Sequence, residues 1–461
     1  MVSISGLWRL FSSVRLALCL ILVITGLSLI GALLIQVPSG VAADPTVYSY
    51  WLQNVAEPKL GLWTKVLSAL RLFDVFHSPW FLGAVALLVL NILICSLNRL
   101  GRLRMVLAGG PIKLAEEFYS ASASHAALSD AKMTPSAASS LSTRIFRRHH
   151  YRVRTANLEG KIYLAADKNR YFVFGTYLGH LSLILLITGV LMGGFMGFRN
   201  TSFIIPEGTV REVGYGTGLS LRLESFSDEY YPDGMPKDYR SQVVVYQGGQ
   251  EAKRGTIRVN YPMSYNGIRF YQSFFGPAAS LQVKNSAGEV LYQDSVALPE
   301  ISTSMYVERP AGSFSLPNDY EVYLVSPVTN TTDPVMADND LLIEIYSQQM
   351  KLVASGKLSA GVPQKLADLE FTYLEKGKFS GFQVSRNPGT PLIWVAFALL
   401  LTGVSIVLYF PNRQVWAMVS PAGAGSRILL RSTSARNIGA NTELTRLVKS
   451  MEAELRGRLN I

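Results

Sequence analysis

Tyr171–Phe198 reads YFVFGTYLGHLSLILLITGVLMGGFMGF, with no Asp, Glu, Lys or Arg and a single histidine, His180. A helix needs about 20 apolar residues to cross the hydrocarbon of a bilayer. Buried core helices are rarely so long or so apolar on every face. Leu16–Ile35, Pro79–Leu97 and Pro391–Phe410 share these properties. Four transmembrane helices are therefore predicted. Composition agrees: 49% of residues are hydrophobic and 16% charged, the reverse of what a disordered chain needs. Arg9 and Arg15 would suit the start of a signal peptide. The first apolar run, however, exceeds the roughly 7–15 residues of a signal's apolar region, and no clean small-x-small site follows Ile35. It reads as an uncleaved anchor.

The charges between the spans predict the topology. The formal net charge is +11, with +8 in segment 99–170, +5 after Phe410 and −4 in segment 199–390. Basic excess marks the cytoplasmic side, above all near helix ends. Arg99, Arg102 and Arg104 flank one span, and Lys168 and Arg170 the next. Residues 1–15, 98–170 and 411–461 are thus expected inside, and 36–78 and 199–390 outside. The positive charge is read as a topology signal facing anionic lipid, not as a nucleic-acid surface.

Segment 199–390 is long enough to bury its own core. Leu219, Leu221 and Leu223 alternate with polar residues, and Gln247-Gly248-Gly249-Gln250 marks a hairpin before Thr256–Val259. An all-β sandwich or open barrel is expected. The segment holds no Cys and no His, which excludes a His-based metal site, a Cys redox pair and a Ser–His–Asp triad within it. Inside, Ala115–Ser124 and Ala137–Phe146 are expected to form short helices of a small basic region. The run Arg147-Arg148-His149-His150-Tyr151-Arg152 is expected to face lipid. Leu444, Leu447, Val448, Met451 and Leu455 follow helical spacing and predict an amphipathic tail lying on the inner leaflet or on a partner.

His180 lies about 14 Å along its helix from Tyr171. An ionisable side chain inside a membrane is a functional candidate by default, although a hydrogen bond to a neighbouring helix is an equal alternative. Gly175 and Gly179 precede it, and Gly189, Gly193 and Gly197 follow. Such residues let a second helix or a flat cofactor approach closely. A proton pump would need several such groups, and a lone His cannot hold zinc. It can hold one axial position of haem. His77, in Asp74-Val75-Phe76-His77-Ser78-Pro79-Trp80, sits at the outer mouth of the second span. An interfacial polar residue beside Asp74 is its plainer reading. Cys19 and Cys95 lie within spans and are read as packing residues.

Several stretches together resemble the ResB family, also called CcsB, of system II cytochrome c biogenesis. They are Ser13-Val14-Arg15-Leu16-Ala17-Leu18 leading to Ile35-Gln36; Phe73–Phe81; Leu90–Leu97; Tyr177-Leu178-Gly179-His180-Leu181-Ser182-Leu183; Val259-Asn260-Tyr261-Pro262 with Tyr265–Ser273; and Asn387-Pro388-Gly389. The resemblance implies four spans, a large extracytoplasmic domain and a polytopic partner, CcsA (ResC), with a Trp-rich haem motif. It implies a complex that moves haem across a bacterial plasma membrane or a thylakoid membrane and attaches it to apocytochrome c. The family's intramembrane ligand carries over onto His180, an axial ligand of a transient b-type haem shared with the partner. His77 lies in a family motif and is a secondary candidate. The six Trp residues are scattered, so the chain resembles the separate subunit. There is no CxxC, and thiol reduction falls to other proteins. The catalytic step is expected to be shared with, or carried by, CcsA. The alternative is a membrane scaffold, or an apocytochrome-docking protein, without haem contact.

Overall fold

A computed structural model describes the chain except for residues 1–3, 39–40, 121–124, 131–132, 305–306, 318–319, 329–332, 435–439 and 460–461. Two compact units result, Met1–Val190 with Gly389–Ile461, and Leu191–Pro388.

The first unit contains the helices α1 (Ile4–Phe11), α2 (Val14–Leu33), α3 (Pro79–Asn98), α4 (Leu100–Ala108) and α5 (Pro135–Arg148). It also contains most of α6 (Val173–Met196), together with α7 (Thr390–Tyr409) and α8 (Ala440–Leu459). α2, α3, α6 and α7 are long and apolar enough to cross a membrane and stand where the apolar stretches lie. Their starts are marked locally. Ser13 caps α2 by accepting from the Arg15 N–H, and Ser78 caps α3 with Pro79 at its first position. Only 11% of the most apolar window of α2, α6 or α7 is buried within the chain, which leaves their sides for lipid or for other helices.

Two polar devices tie α3 and its approach to the first span. Asn91, 1% exposed, donates from Nδ2 to the carbonyls of Phe11 (2.7 Å) and Ser13 (3.3 Å) at the break between α1 and α2, where the Ser13 carbonyl also accepts from the Ala17 N–H. Gln36 donates to the Leu72 carbonyl (3.1 Å) and accepts from the Val75 N–H (3.2 Å). α6 and α7 meet through glycine. A Cβ on Gly175 would lie 2.7 Å from the Gly403 carbonyl oxygen, and one on Gly389 would clash with that of Gly189. Backbone-to-backbone packing of this kind is what small residues permit in a membrane. Around Gly179, by contrast, a Cβ would meet nothing within 4 Å.

The two predicted inner segments build one mixed α/β domain, which corrects their separate reading. Five antiparallel strands run in the order His125–Asp130, Gly425–Ser434, Arg413–Ala422, Lys161–Lys168, Arg152–Leu158. α5 covers one face with Leu141, Ile145 and Phe146, and α8 covers it with Leu444, Leu447 and Met451, all buried against Val415, Ala417 and Leu430. The apolar stripe of the tail therefore lies in its own domain's core, not on the leaflet. A short helix, Glu116–Ser120, occupies part of the predicted 115–124, whose end lies outside the described residues. Tyr151, in the middle of the basic run, is buried in the same core.

The second unit is β-rich, as its alternation predicts. Among the described residues its strands form three antiparallel sheets. The two longest, Ile268–Asn285 and Leu369–Arg386, pair with each other along their length. One core gathers Leu281, Val283, Leu324, Ile343 and Phe371 near one end of this pair, and another gathers Leu221, Val243, Phe270 and Phe382 near the other. Between them lies a polar knot. Ser241 Oγ donates to Gln272 Oε1 (2.7 Å), and Gln272 Nε2 donates to Ser380 Oγ (2.8 Å). The Gln272 of the quoted Tyr265–Ser273 stretch is thus architectural. Gln272→Leu should leave two buried hydroxyls short of partners and cost about 1–2 kcal/mol, read as an earlier denaturant midpoint for the purified protein.

Candidate functional site

The last turn of α3 meets the first half of α6 at one side-chain contact. Ser96 Oγ lies 2.8 Å from His180 Nδ1. The same Oγ donates its hydrogen to the Ile92 carbonyl at 2.7 Å, four residues back along α3. A hydroxyl has one hydrogen and two lone pairs, so with its proton spent on Ile92, Ser96 accepts from Nδ1–H. In the neutral ring Nδ1 then carries the proton and Nε2 a lone pair. Among the described residues, Nε2 has no hydrogen-bond partner. The Tyr177 hydroxyl donates to the Ser96 carbonyl (3.4 Å) and braces the same turn. His180 is half-buried, and the neighbouring Gly179 leaves open space.

An imidazole with one nitrogen oriented by a hydrogen bond and the other without a partner has the arrangement that metal-binding histidines use. Among the described residues no group of three or more His, Cys, Asp or Glu could hold a metal ion. A group that brings four equatorial ligands of its own fits His180, because it asks the protein for axial nitrogens only. A lone histidine of this kind is compatible with one axial position of haem.

His77 is placed differently. Its Nδ1 lies 2.7 Å from Asp74 Oδ1, and both side chains are substantially exposed. The surrounding stretch is explained by packing. Phe73 and Val75 are fully buried, Phe73 against Trp51 and Ala56, and Ser78 caps α3. Ser78 and Ser96 mark opposite ends of α3, 18 residues or about 27 Å apart. His77 and His180 therefore cannot serve one iron. Cys95 points its thiol at the Phe11 carbonyl (3.9 Å) and Asn91 Oδ1 (3.8 Å), while Cys19 is exposed on α2. His149 Nε2 lies 3.2 Å from Ser450 Oγ of α8. Ser96 and Asn91 escaped the sequence reading, although each is a polar residue in an otherwise apolar span, and that was the available signal.

Four apolar spans and a large extramembranous β-rich domain define the class, an integral membrane protein. The chain belongs to the ResB-like family, whose model matches residues 14–443. Its relatives include the Cytochrome c biogenesis protein CcsB of Synechococcus sp. (strain CC9311), 28% identical over 472 residues that cover 98% of this chain and 99% of that one. The protein of the same name from Synechococcus sp. (strain JA-3-3Ab) is 27% identical over 431 residues, covering 90% and 84%. That of Gloeobacter violaceus is 24% identical over 455 residues, covering 95% and 90%. A solved structure, Cytochrome c Heme Lyase CcmF, aligns with a TM-score of 0.25 and 12% identity over 75% of this chain and 43% of that one, a likeness too slight to bear on the fold. The family places the chain in cytochrome c biogenesis.

Proposed function

We propose that this chain is the haem-handling, separate subunit of a system II cytochrome c synthase, acting with a CcsA-type polytopic partner. His180 supplies one axial ligand through Nε2 and the partner supplies the other. The observation that carries this reading is the Ser96 contact, which leaves Nε2 unprotonated and available. Bound haem would supply the vinyl groups that join the cysteines of an apocytochrome c. This chain's own residues hold and orient the cargo: His180 by ligation, Ser96 by fixing the imidazole. The charge pattern supports both termini and the mixed α/β domain on the cytoplasmic or stromal side, with unit Leu191–Pro388 on the other side, where an apocytochrome docks.

One observation favours a second reading. A hydrogen bond from His180 to Ser96 is also what a helix-joining histidine would make, and the chain would then be a scaffold without haem contact. The two readings share a first test. The chain, its partner and an apocytochrome are co-expressed in a bacterium lacking its own maturation system, and haem-stained cytochrome is measured. Covalent cytochrome is expected only when both membrane proteins are present. Full maturation by the partner alone would overturn a role for this chain.

A further inference from the structure

Arg99 closes α3 three residues after Ser96. Its side chain is exposed, and among the described residues its guanidinium has no hydrogen bond or ion pair. Three other cations of the unit are committed. Arg154 holds the carbonyls of Gly109 and Gly110, Lys168 that of His149, and Arg170 that of Leu107 together with the Tyr171 hydroxyl. Arg104 is also uncommitted, but it lies eight residues, about 12 Å of helix, beyond Ser96. Arg99 lies less than one helical turn beyond Ser96, whose Oγ is 2.8 Å from the His180 imidazole.

A cargo ligated by His180 must be largely apolar to sit among lipid-facing helices. Haem has flat apolar faces but carries two carboxylates on one edge. Leaving a carboxylate in hydrocarbon without a partner is prohibitively costly. The edge that bears them must reach water or a fixed cation, and a guanidinium matches a carboxylate with two parallel hydrogen bonds. Resting on the His180 reading, we infer that Arg99 binds a carboxylate of the porphyrin cargo and so sets which edge faces the basic side of the membrane. The carboxylate-free edge, with its vinyl groups, is then turned away from that side. The same guanidinium chemistry would suit the phosphate of an anionic lipid, and the test separates the two.

The full chain is purified with its partner as wild type, Arg99→Gln, Arg99→Lys, Arg104→Gln and His180→Ala. Each is titrated with haemin and with haemin dimethyl ester, and occupancy is followed by the visible spectrum. Arg99→Gln is expected to weaken haemin binding by roughly tenfold, in line with loss of a charge-assisted hydrogen bond. It should leave ester binding unchanged, which also shows the variant to be folded. Arg99→Lys should recover part of the loss, and Arg104→Gln should behave as wild type. Equal haemin affinity in Arg99→Gln, or an equal loss for the ester, overturns the role of Arg99 and favours lipid phosphate as its partner. Haemin held as well by His180→Ala as by wild type overturns the ligand reading, and the Arg99 inference with it.

Discussion

A complex carrying His180→Gly is expected to purify without the bis-imidazole haem spectrum, and added imidazole is expected to restore part of it. Two magnitudes separate the competing roles of the ring. As helix glue, an interhelical hydrogen bond in a membrane is worth about 0.6 kcal/mol on average, so its loss would barely change the amount of folded complex and would not touch haem. As a ligand, its loss removes the bond that retains iron. Glycine leaves the volume of the ring empty, and free imidazole can enter it. Ser96→Ala grades the effect. It keeps the ligand and frees the tautomer, and removal of a group that orients a metal ligand costs about 10- to 100-fold in affinity. The expected order of haem retention is therefore wild type, then Ser96→Ala, then His180→Gly. A His180→Gly complex with a full haem band would reduce His180 to the hydrogen bond it makes with Ser96.

The spans and the candidate histidine were legible because both rest on solvent physics. A stretch such as Leu16–Ile35 has nowhere else to go than lipid, and an imidazole inside one stands out against its surroundings. The β character of 199–390 was legible from alternation at Leu219, Leu221 and Leu223, but its division into three sheets was not. Pairing of Ile268–Asn285 with Leu369–Arg386 joins strands about a hundred residues apart in sequence, and no local period encodes that choice. The mixed α/β domain was hidden for the same reason. Val415↔Ala166 and Trp416↔Ala165 are neighbours in one sheet across some 250 residues. An amphipathic helix looks alike whether its stripe meets lipid or a sheet, and only the presence of that sheet assigns Leu447 and Met451 to a core. Ser96 was missed because a serine in a span is ordinarily satisfied by its own helix. Its bond to Ile92 is of that kind, and the bond to His180 is the second, non-local one.

Asp333→Ala is expected to loosen one sheet of the β-rich unit without reaching the membrane site. Arg309 donates from Nε to Asp333 Oδ2 (2.7 Å) and from Nη2 to Oδ1 (2.9 Å), with the two side chains only 5% and 0% exposed. The carboxylate also accepts the N–H groups of Val328, Val335 and Met336. One aspartate thus ties the backbone at Val328 to that at Val335 and Met336 and neutralises a buried guanidinium on strand Val307–Ser315, beside strand Glu321–Val325. Removing one partner of a buried pair costs about 3–5 kcal/mol because the other charge stays behind. The Arg309 hydrogen bonds, aided by those three N–H groups, hold the Asp333 carboxyl far below its usual range. Its pKa is lowered on folding, so its contribution is complete above the unfolded value of about 3.9 and fades as pH falls below that. Hydrogen exchange in strands Val307–Ser315 and Glu321–Val325 should therefore quicken in Asp333→Ala at neutral pH, and in wild type only in acid. Unchanged protection in the variant would mean that Val322, Leu324 and Ile343, all buried in the neighbouring core, hold the sheet without the ion pair.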